Sequence, residues 1–219
     1  MKFINDYYNN RKIKYGISGD RKGKILPLLA KFKGCRVLDA GCASGYTGEI
    51  LRKQGNYVVG WDMITRDVET ARKVLDEAHL VDLESSNWPR VNKKFDLIVF
   101  SEVVEHLFSP ETVLRRLLTY LKPGGSILIS TPNILHLYMR TKFIRGEYEY
   151  KDESVSVINP AHFHLFTYSS LKRLARRVGL SVEDENHVIF PRTLAILWKH
   201  WPGVFAYQLV FLFKKPSSK

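Results

Sequence analysis

Val37-Leu38-Asp39-Ala40-Gly41-Cys42-Ala43-Ser44-Gly45 begins as an apolar run and ends in a turn of small residues. The first part reads as a strand. From Gly45 to Gln54 apolar residues recur at helical spacing, so the stretch is a strand, a tight turn and the opening of a helix. A turn so bare of side chains lets a ligand lie against backbone at the carboxyl end of the strand, with amide N–H groups as donors. The glycines are spaced Gly41-x-x-x-Gly45 and Asp39 stands just before them, which departs from the G-x-G-x-x-G fingerprint of dinucleotide sites. An acid gains nothing beside a pyrophosphate, whereas it can meet an ammonium. A phosphate-free ligand fits this turn better.

Outward from the turn, short β-branched runs alternate with longer amphipathic stretches, the sequence form of βαβ units around a parallel sheet. Cys35–Ala40 is the first strand, Tyr57–Asp62 the second, Ala78–Asp82 the third, Phe95–Ser101 the fourth and Ser126–Ser130 the fifth. Helices are expected over Arg66–Glu77, Pro110–Leu121 and Ser169–Val178, the last stopped by Gly179. Lys122-Pro123-Gly124-Gly125 breaks the chain before the fifth strand. Leu180–Phe190 and Val204–Lys214 both read as strands. The segment between them holds Pro191, Trp201, Pro202 and Gly203 and is too short and broken for a crossover helix, so a hairpin with one antiparallel strand is expected. Val204–Phe213 also permits a membrane-surface helix, which its β-branched and aromatic content disfavours. The expected fold is a Rossmann-like, doubly wound α/β sheet of seven strands, mostly parallel.

The strand ends carry the chemistry. Asp62, closing the second strand next to Met63, can accept both hydroxyls of a ribose, and Asp82-Leu83 suit an adenine edge. After the fourth strand comes Ser101-Glu102-Val103-Val104-Glu105-His106-Leu107. If it opens a helical turn, Glu102, Glu105 and His106 fall at i, i+3 and i+4 on one face. Two carboxylates and an imidazole suit Mg²⁺ or another divalent cation, and Asn159-Pro160-Ala161-His162-Phe163-His164 offers His162 as a further ligand. Other readings stand beside this one. Acids at a helix start are favoured by the dipole alone, His106 can serve as a general base without metal, and His162 and His164 can be plain pocket residues.

The chain resembles the class I S-adenosylmethionine-dependent methyltransferases, especially the branch of ubiquinone-type O-methyltransferases. The likeness rests on V-L-D-A-G-C-A-S-G, the strand end at Asp62, V-D-L at 81–83, F-D-L-I-V-F-S-E-V-V-E-H-L and L-K-P-G-G-S-I-L-I-S-T-P-N, in that order over residues 34–133. The resemblance implies S-adenosylmethionine as cofactor, with contacts from Asp39, Gly41, Asp62, Asp82, Leu83 and Ser101. Ala43, Gly45 and Met63 complete the cofactor set. It also likens E-x-x-E-H plus a distant histidine to a metal site that holds the acceptor hydroxyl, so Glu102, Glu105 and His106 are the catalytic candidates. Ala43 stands where the pattern often has glycine; its methyl is accommodated if φ is negative.

The formal charge of +12 is unevenly placed. Residues 1–33 hold nine basic against two acidic side chains, 34–133 twelve against thirteen, and 134–219 thirteen against seven. The excess therefore flanks the core, as a solvated surface or as a face toward an anionic acceptor, an anionic membrane or nucleic acid. One domain is expected, with residues 1–33 a basic cap over the cofactor, 34–133 the cofactor core, 134–168 an acceptor-binding insertion, and 169–219 a helix and hairpin. Within the insertion Tyr138, Arg140, Arg145, Tyr148, Tyr150, His162 and His164 are acceptor contacts or a packed aromatic cover. No apolar run reaches the ~18–20 residues a membrane-spanning helix needs. Two cysteines are too few for a disulfide framework, and the Met1-Lys2-Phe3 start lacks a secretory core, so a cytoplasmic location is expected. The leading function is O-methylation of a small-molecule phenol, quinol, sugar or lipid-linked glycan. RNA 2′-O-methylation and a non-catalytic S-adenosylmethionine-binding or membrane-surface protein are the alternatives.

Overall fold

In the computed structural model, which describes residues 19–147, 162–189 and 200–217, the apolar runs become the strands of one twisted sheet. The chain enters through helix α1 (Gly19–Leu29) and then forms β1 (Arg36–Ala40), α2 (Tyr46–Lys53), β2 (Tyr57–Asp62), α3 (Thr65–Ala71), β3 (Glu77–Leu80) and β4 (Phe95–Ser101). After a 3₁₀ turn at Val104–His106 come α4 (Pro110–Tyr120), β5 (Leu121–Pro132), α5 (Leu137–Ile144), α6 (Tyr168–Arg177), β6 (Ser181–Glu185), β7 (Val188–Ile189), the one-turn helix α7 (Pro202–Phe205) and β8 (Ala206–Lys214). The order across the sheet is β3-β2-β1-β4-β5-β8-β6, with β7 also on β8. The first five strands are mutually parallel. β8 runs antiparallel to β5 on one side and to β6 and β7 on the other. The sheet is thus seven strands wide and doubly wound, as its sequence suggests.

Side-chain alternation divides the core into two layers. Leu38, Ile98, Ile127, Ile129 and Phe211 point to the face covered by α4 and α6 through Leu114, Leu117, Leu171 and Leu174. Val37, Leu97, Val99, Leu128 and Val210 point to the other, where Ile25 and Leu29 of α1, Leu51 of α2 and Val68 of α3 close over them. Strands buried on both faces are continuously apolar, which is why β4 and β8 are so easily read.

Several boundaries differ from expectation, each for a local reason. The second helix ends at Ala71 rather than at Glu77, which instead opens β3. The turn between them drives Leu75 into the space left open by Gly48 and Gly60, where a Cβ would stand 2.6 Å from its methyl groups. The Asp76 carboxylate there accepts the Val58 N–H at 2.8 Å. β3 ends at Leu80, so Asp82 lies beyond it. In β5, Leu121 already faces Phe95 and Ser126 faces Leu97, so Lys122–Gly125 loop out of the ladder. The expected strand Leu180–Phe190 is interrupted between β6 and β7, and Phe190 falls outside the described residues. At the break Val210 donates its N–H to the His187 Nδ1 at 3.1 Å, so an imidazole stands in for a backbone carbonyl. Val204–Phe205 belong to α7 and β8 starts at Ala206, a buried strand between two neighbours and not a membrane-surface helix. Among the described residues no helix is long and apolar enough to cross a membrane.

Candidate active site

The turn after β1 is held open by backbone conformation. Gly41 and Gly45 have φ of 84° and 86°, and Ala43 has φ of 45°. The negative φ that would accommodate the Ala43 methyl is not adopted: the chain puts a methyl-bearing residue in the left-handed region, at a cost of roughly 1–2 kcal/mol. The turn is stitched to the end of β2. Gly41 and Cys42 both donate to the Trp61 carbonyl, at 2.7 and 3.0 Å. Ala43 donates to Asp62 Oδ2 at 2.8 Å, and Ile64 to Asp62 Oδ1 at 2.9 Å. A Cβ at Gly41 would strike Val103, so the turn closes against the segment that follows β4.

Carboxylates gather around this turn. Asp39 is buried and its Oδ2 has no hydrogen-bond partner among the described residues. Burial pushes its pKa up to about 7, and the charge of Asp62 adds to that against the Gly48 N–H. Asp62 is raised as well, first by burial, while the N–H groups of Ile64 and Ala43 oppose the shift. Asp82 caps its own loop, accepting the Glu84 N–H at 2.9 Å, and the side chain of Leu83 packs into the core, which leaves its backbone for any ligand. Met63 is half-buried beside Asp62. So many acids at the strand ends repel a pyrophosphate and favour a cation.

Beyond β4 the structure brings together some of the expected ligands and leaves Glu102 apart from them. The segment does not continue as a helical turn from Glu102. That residue has φ of 57°, and only Val104–His106 coil. A left-handed residue breaks the i, i+3, i+4 face, so Glu102 does not join the group formed by Glu105, His106 and His162, although its charge still acts on Glu105. Its Oε1 accepts the Ser130 hydroxyl at 2.8 Å, which in turn meets Ser101 Oγ at 2.7 Å. Its Oε2 lies 3.8 Å from the Arg21 guanidinium, and Arg21 also donates to Gln208 Oε1 at 3.0 Å.

Glu105, His106 and His162 do converge. One ligand atom from each lies within 4.8 Å of the others. Glu105 is 1% exposed, and neither carboxylate oxygen has a hydrogen-bond partner among the described residues. Burial first, then the charge of Glu102, raises its pKa well above the usual carboxylate range, with the Arg21 charge acting in the opposite direction. Phe163 and His164 donate their N–H groups to the Glu105 carbonyl at 2.9 and 3.1 Å, which fixes His162 beside it. His164 itself turns out of the group, its Nε2 3.2 Å from the Phe108 carbonyl.

The remaining acceptor candidates scatter. Tyr138 is exposed on α5, Arg140 Nε binds the Leu135 carbonyl at 2.6 Å, and Arg145 is exposed at the end of α5. Tyr148 and Tyr150 lie outside the described residues, as do the first 18 residues of the expected cap. Arg21, Ser130, Thr131 and Gln208 escaped the sequence reading. Arg21 is one of many basic residues in its stretch, and only the docking of α1 on β8 singles it out.

Three comparisons bear on this geometry. The family described as methyltransferase domain matches residues 13–185. The ubiquinone biosynthesis O-methyltransferase of Chelativorans sp. (strain BNC1) is 32% identical over 202 residues, 88% of this chain and 77% of that protein. The mitochondrial ubiquinone biosynthesis O-methyltransferase of Homo sapiens is 38% identical over 170 residues, which are 72% of this chain but only 43% of the human protein. Among solved structures, the magnesium protoporphyrin IX methyltransferase of Synechocystis PCC 6803, with bound S-adenosylhomocysteine (SAH), superposes with a TM-score of 0.69 at 14% identity, covering 98% of this chain and 99% of that one.

Proposed function

Since the chain belongs to the class I S-adenosylmethionine-dependent methyltransferases, in their ubiquinone O-methyltransferase-like branch, we propose that it methylates a hydroxyl oxygen of a small phenol or quinol. The observation that carries this reading is the convergence of Glu105, His106 and His162 just past β4, with both oxygens of a buried Glu105 left unpartnered.

The turn residues fit the methyl donor. Gly41, Ala43 and Gly45 present bare backbone, Asp62 and Asp82 face a ribose and an adenine, and the unpartnered Asp39 Oδ2 suits an ammonium. Arg21, the cation among these acids, suits the donor's carboxylate. S-adenosylmethionine supplies a methyl group on a positive sulfur: the acceptor oxygen bonds to that carbon, the carbon–sulfur bond breaks and the electron pair returns to sulfur. The protein must therefore align the oxygen with the methyl and take up the hydroxyl proton. On this reading Glu105 or His106 takes up that proton.

The same triad fits a divalent cation. A carboxylate oxygen and two imidazole nitrogens are an open donor set, and an unpaired buried carboxylate calls for a positive partner. Two imidazoles favour Mn²⁺, Fe²⁺ or Zn²⁺ over Mg²⁺, which prefers oxygen. When bound, such an ion lowers the pKa of a coordinated hydroxyl.

The test is transfer of a labelled methyl group from S-adenosylmethionine to catechol, with and without Mn²⁺, in the wild type and in Glu105→Ala. Turnover that disappears in Glu105→Ala while affinity for SAH stays within about threefold is expected. Equal turnover in both proteins would remove the acceptor-site assignment.

A further inference from the structure

His136 lies in the connection that leaves β5, immediately before α5. It has no exposed surface, and neither Nδ1 nor Nε2 has a hydrogen-bond partner among the described residues. A neutral imidazole carries one donor and one acceptor, and leaving either buried without a partner costs about 1–3 kcal/mol. A phenylalanine would fill the same space at no such cost, so the polar ring calls for an explanation.

The surroundings of His136 are flat and firmly built. The Tyr138 ring lies nearly parallel to it, at 19° and 6.0 Å between centroids, and the Tyr207 ring meets it edge-on at 4.9 Å. Asn133, fully buried, locks the connection in place. It donates through Nδ2 to the carbonyls of Gly203 and Ala206, through its N–H to Tyr207, and accepts the Leu135 N–H. The orientation of His136 is thus imposed by a rigid scaffold, which is how binding groups are positioned. Buried Thr131 stands five residues earlier, near the end of the strand whose Ser130 hydroxyl meets Glu102. Tyr138 is 46% exposed and is the wall that a side-chain rotation can open.

We propose that His136 is an acceptor-binding residue: with the Tyr138 ring swung aside, its neutral imidazole hydrogen-bonds a hydroxyl of a planar aromatic acceptor held between the tyrosine rings. This rests on the reading of the site as an O-methyltransferase centre, and it adds a residue on the β5 side that the triad does not include. Burial holds the His136 pKa down, at about 4, so the ring stays neutral near pH 7 and serves to bind and orient the acceptor while the proton goes elsewhere.

The experiment is equilibrium binding of catechol to the protein saturated with SAH, which requires no turnover. His136→Phe is expected to weaken catechol binding at least tenfold, to leave affinity for SAH unchanged, and to leave the thermal midpoint unchanged or higher. Equal catechol affinity in His136→Phe, or no catechol binding by the wild type, overturns the proposal. A second measurement covers a variant that folds poorly. The imidazole nitrogen resonances of His136 in the wild type, identified by their absence from His136→Gln, shift on adding catechol; resonances that stay in place while catechol binds overturn it equally. Absence of methyl transfer from an enzyme that still binds catechol through His136 would count against the proposed reaction alone.

Discussion

The imidazole rings of His106 and His162 meet edge to face with their centroids 4.7 Å apart, although they come from distant stretches of the chain. What joins them is backbone. The Glu105 carbonyl accepts two N–H groups from the residues after His162, and Phe108 stacks on Phe163 at 4.3 Å. The two segments therefore act as one unit, with the buried Glu105 side chain in reach of both rings.

His162→Ala should separate cation binding from methyl-donor binding. Loss of mere outer-shell support commonly costs 10–100-fold in metal affinity, so loss of a ligand is expected to weaken Mn²⁺ binding by at least about tenfold. Calorimetric titration with Mn²⁺ and, separately, with SAH checks this. Unchanged Mn²⁺ affinity would exclude His162 from the ligand set.

Asp39 connects pH to both stability and binding. Its carboxyl is raised by burial to about 7, against an unfolded value of about 3.9. The folded state thus holds the proton more tightly. The ionised form is a cost carried in full above pH 7, and stability from this group rises as pH falls from about 7 toward 4. An ammonium beside the carboxylate favours the ionised form, so affinity for SAH is expected to fall as pH drops below 7. In Asp39→Asn the thermal midpoint at pH 8 should rise, while SAH binding weakens and loses that pH dependence. A pH dependence that survives the substitution would assign it to another group.

Asp62→Ala removes the acceptor of two backbone N–H groups together with the carboxylate proposed to meet the ribose. Leaving such donors unpaired costs about 1–3 kcal/mol, so a lower thermal midpoint is expected together with at least tenfold weaker SAH binding. If the midpoint falls while affinity holds, Asp62 only braces the turn.

Ala43→Gly tests the left-handed turn directly. Relief of an alanine at φ 45° is offset by the greater freedom of glycine in the unfolded chain, worth about 0.4–1 kcal/mol. A small net gain in the midpoint, with SAH affinity kept or improved, is the expected outcome in a melting series with and without the ligand. A clear loss of stability would show that the methyl group makes contacts worth more than the strain.

Much of this molecule was legible along the chain. Buried parallel strands must be apolar on both faces, so Tyr57–Asp62 and Phe95–Ser101 are read to the residue. The turn after β1 is legible because Gly41 and Gly45 mark two of its positive-φ positions, while Ala43, at the third, gives no such signal. Helix ends were less so: Ala71 closes α3 because Leu75 has a glycine-lined hole to enter, a fact of packing that no periodicity records.

The candidate site divides in the same way. Sequence by itself determined that Asp39, Asp62 and the E-x-x-E-H block stand at strand ends, since a doubly wound sheet brings those ends to one carboxyl edge whatever the loops do. Only the tertiary structure decided which of those residues meet. A single positive φ sends Glu102 to Ser130 and Arg21, while two long-range backbone hydrogen bonds bring His162 to Glu105. Local pattern reflects the periodicity of one segment, whereas a binding constellation depends on contacts between segments, and these form only when the sheet and its two layers have closed.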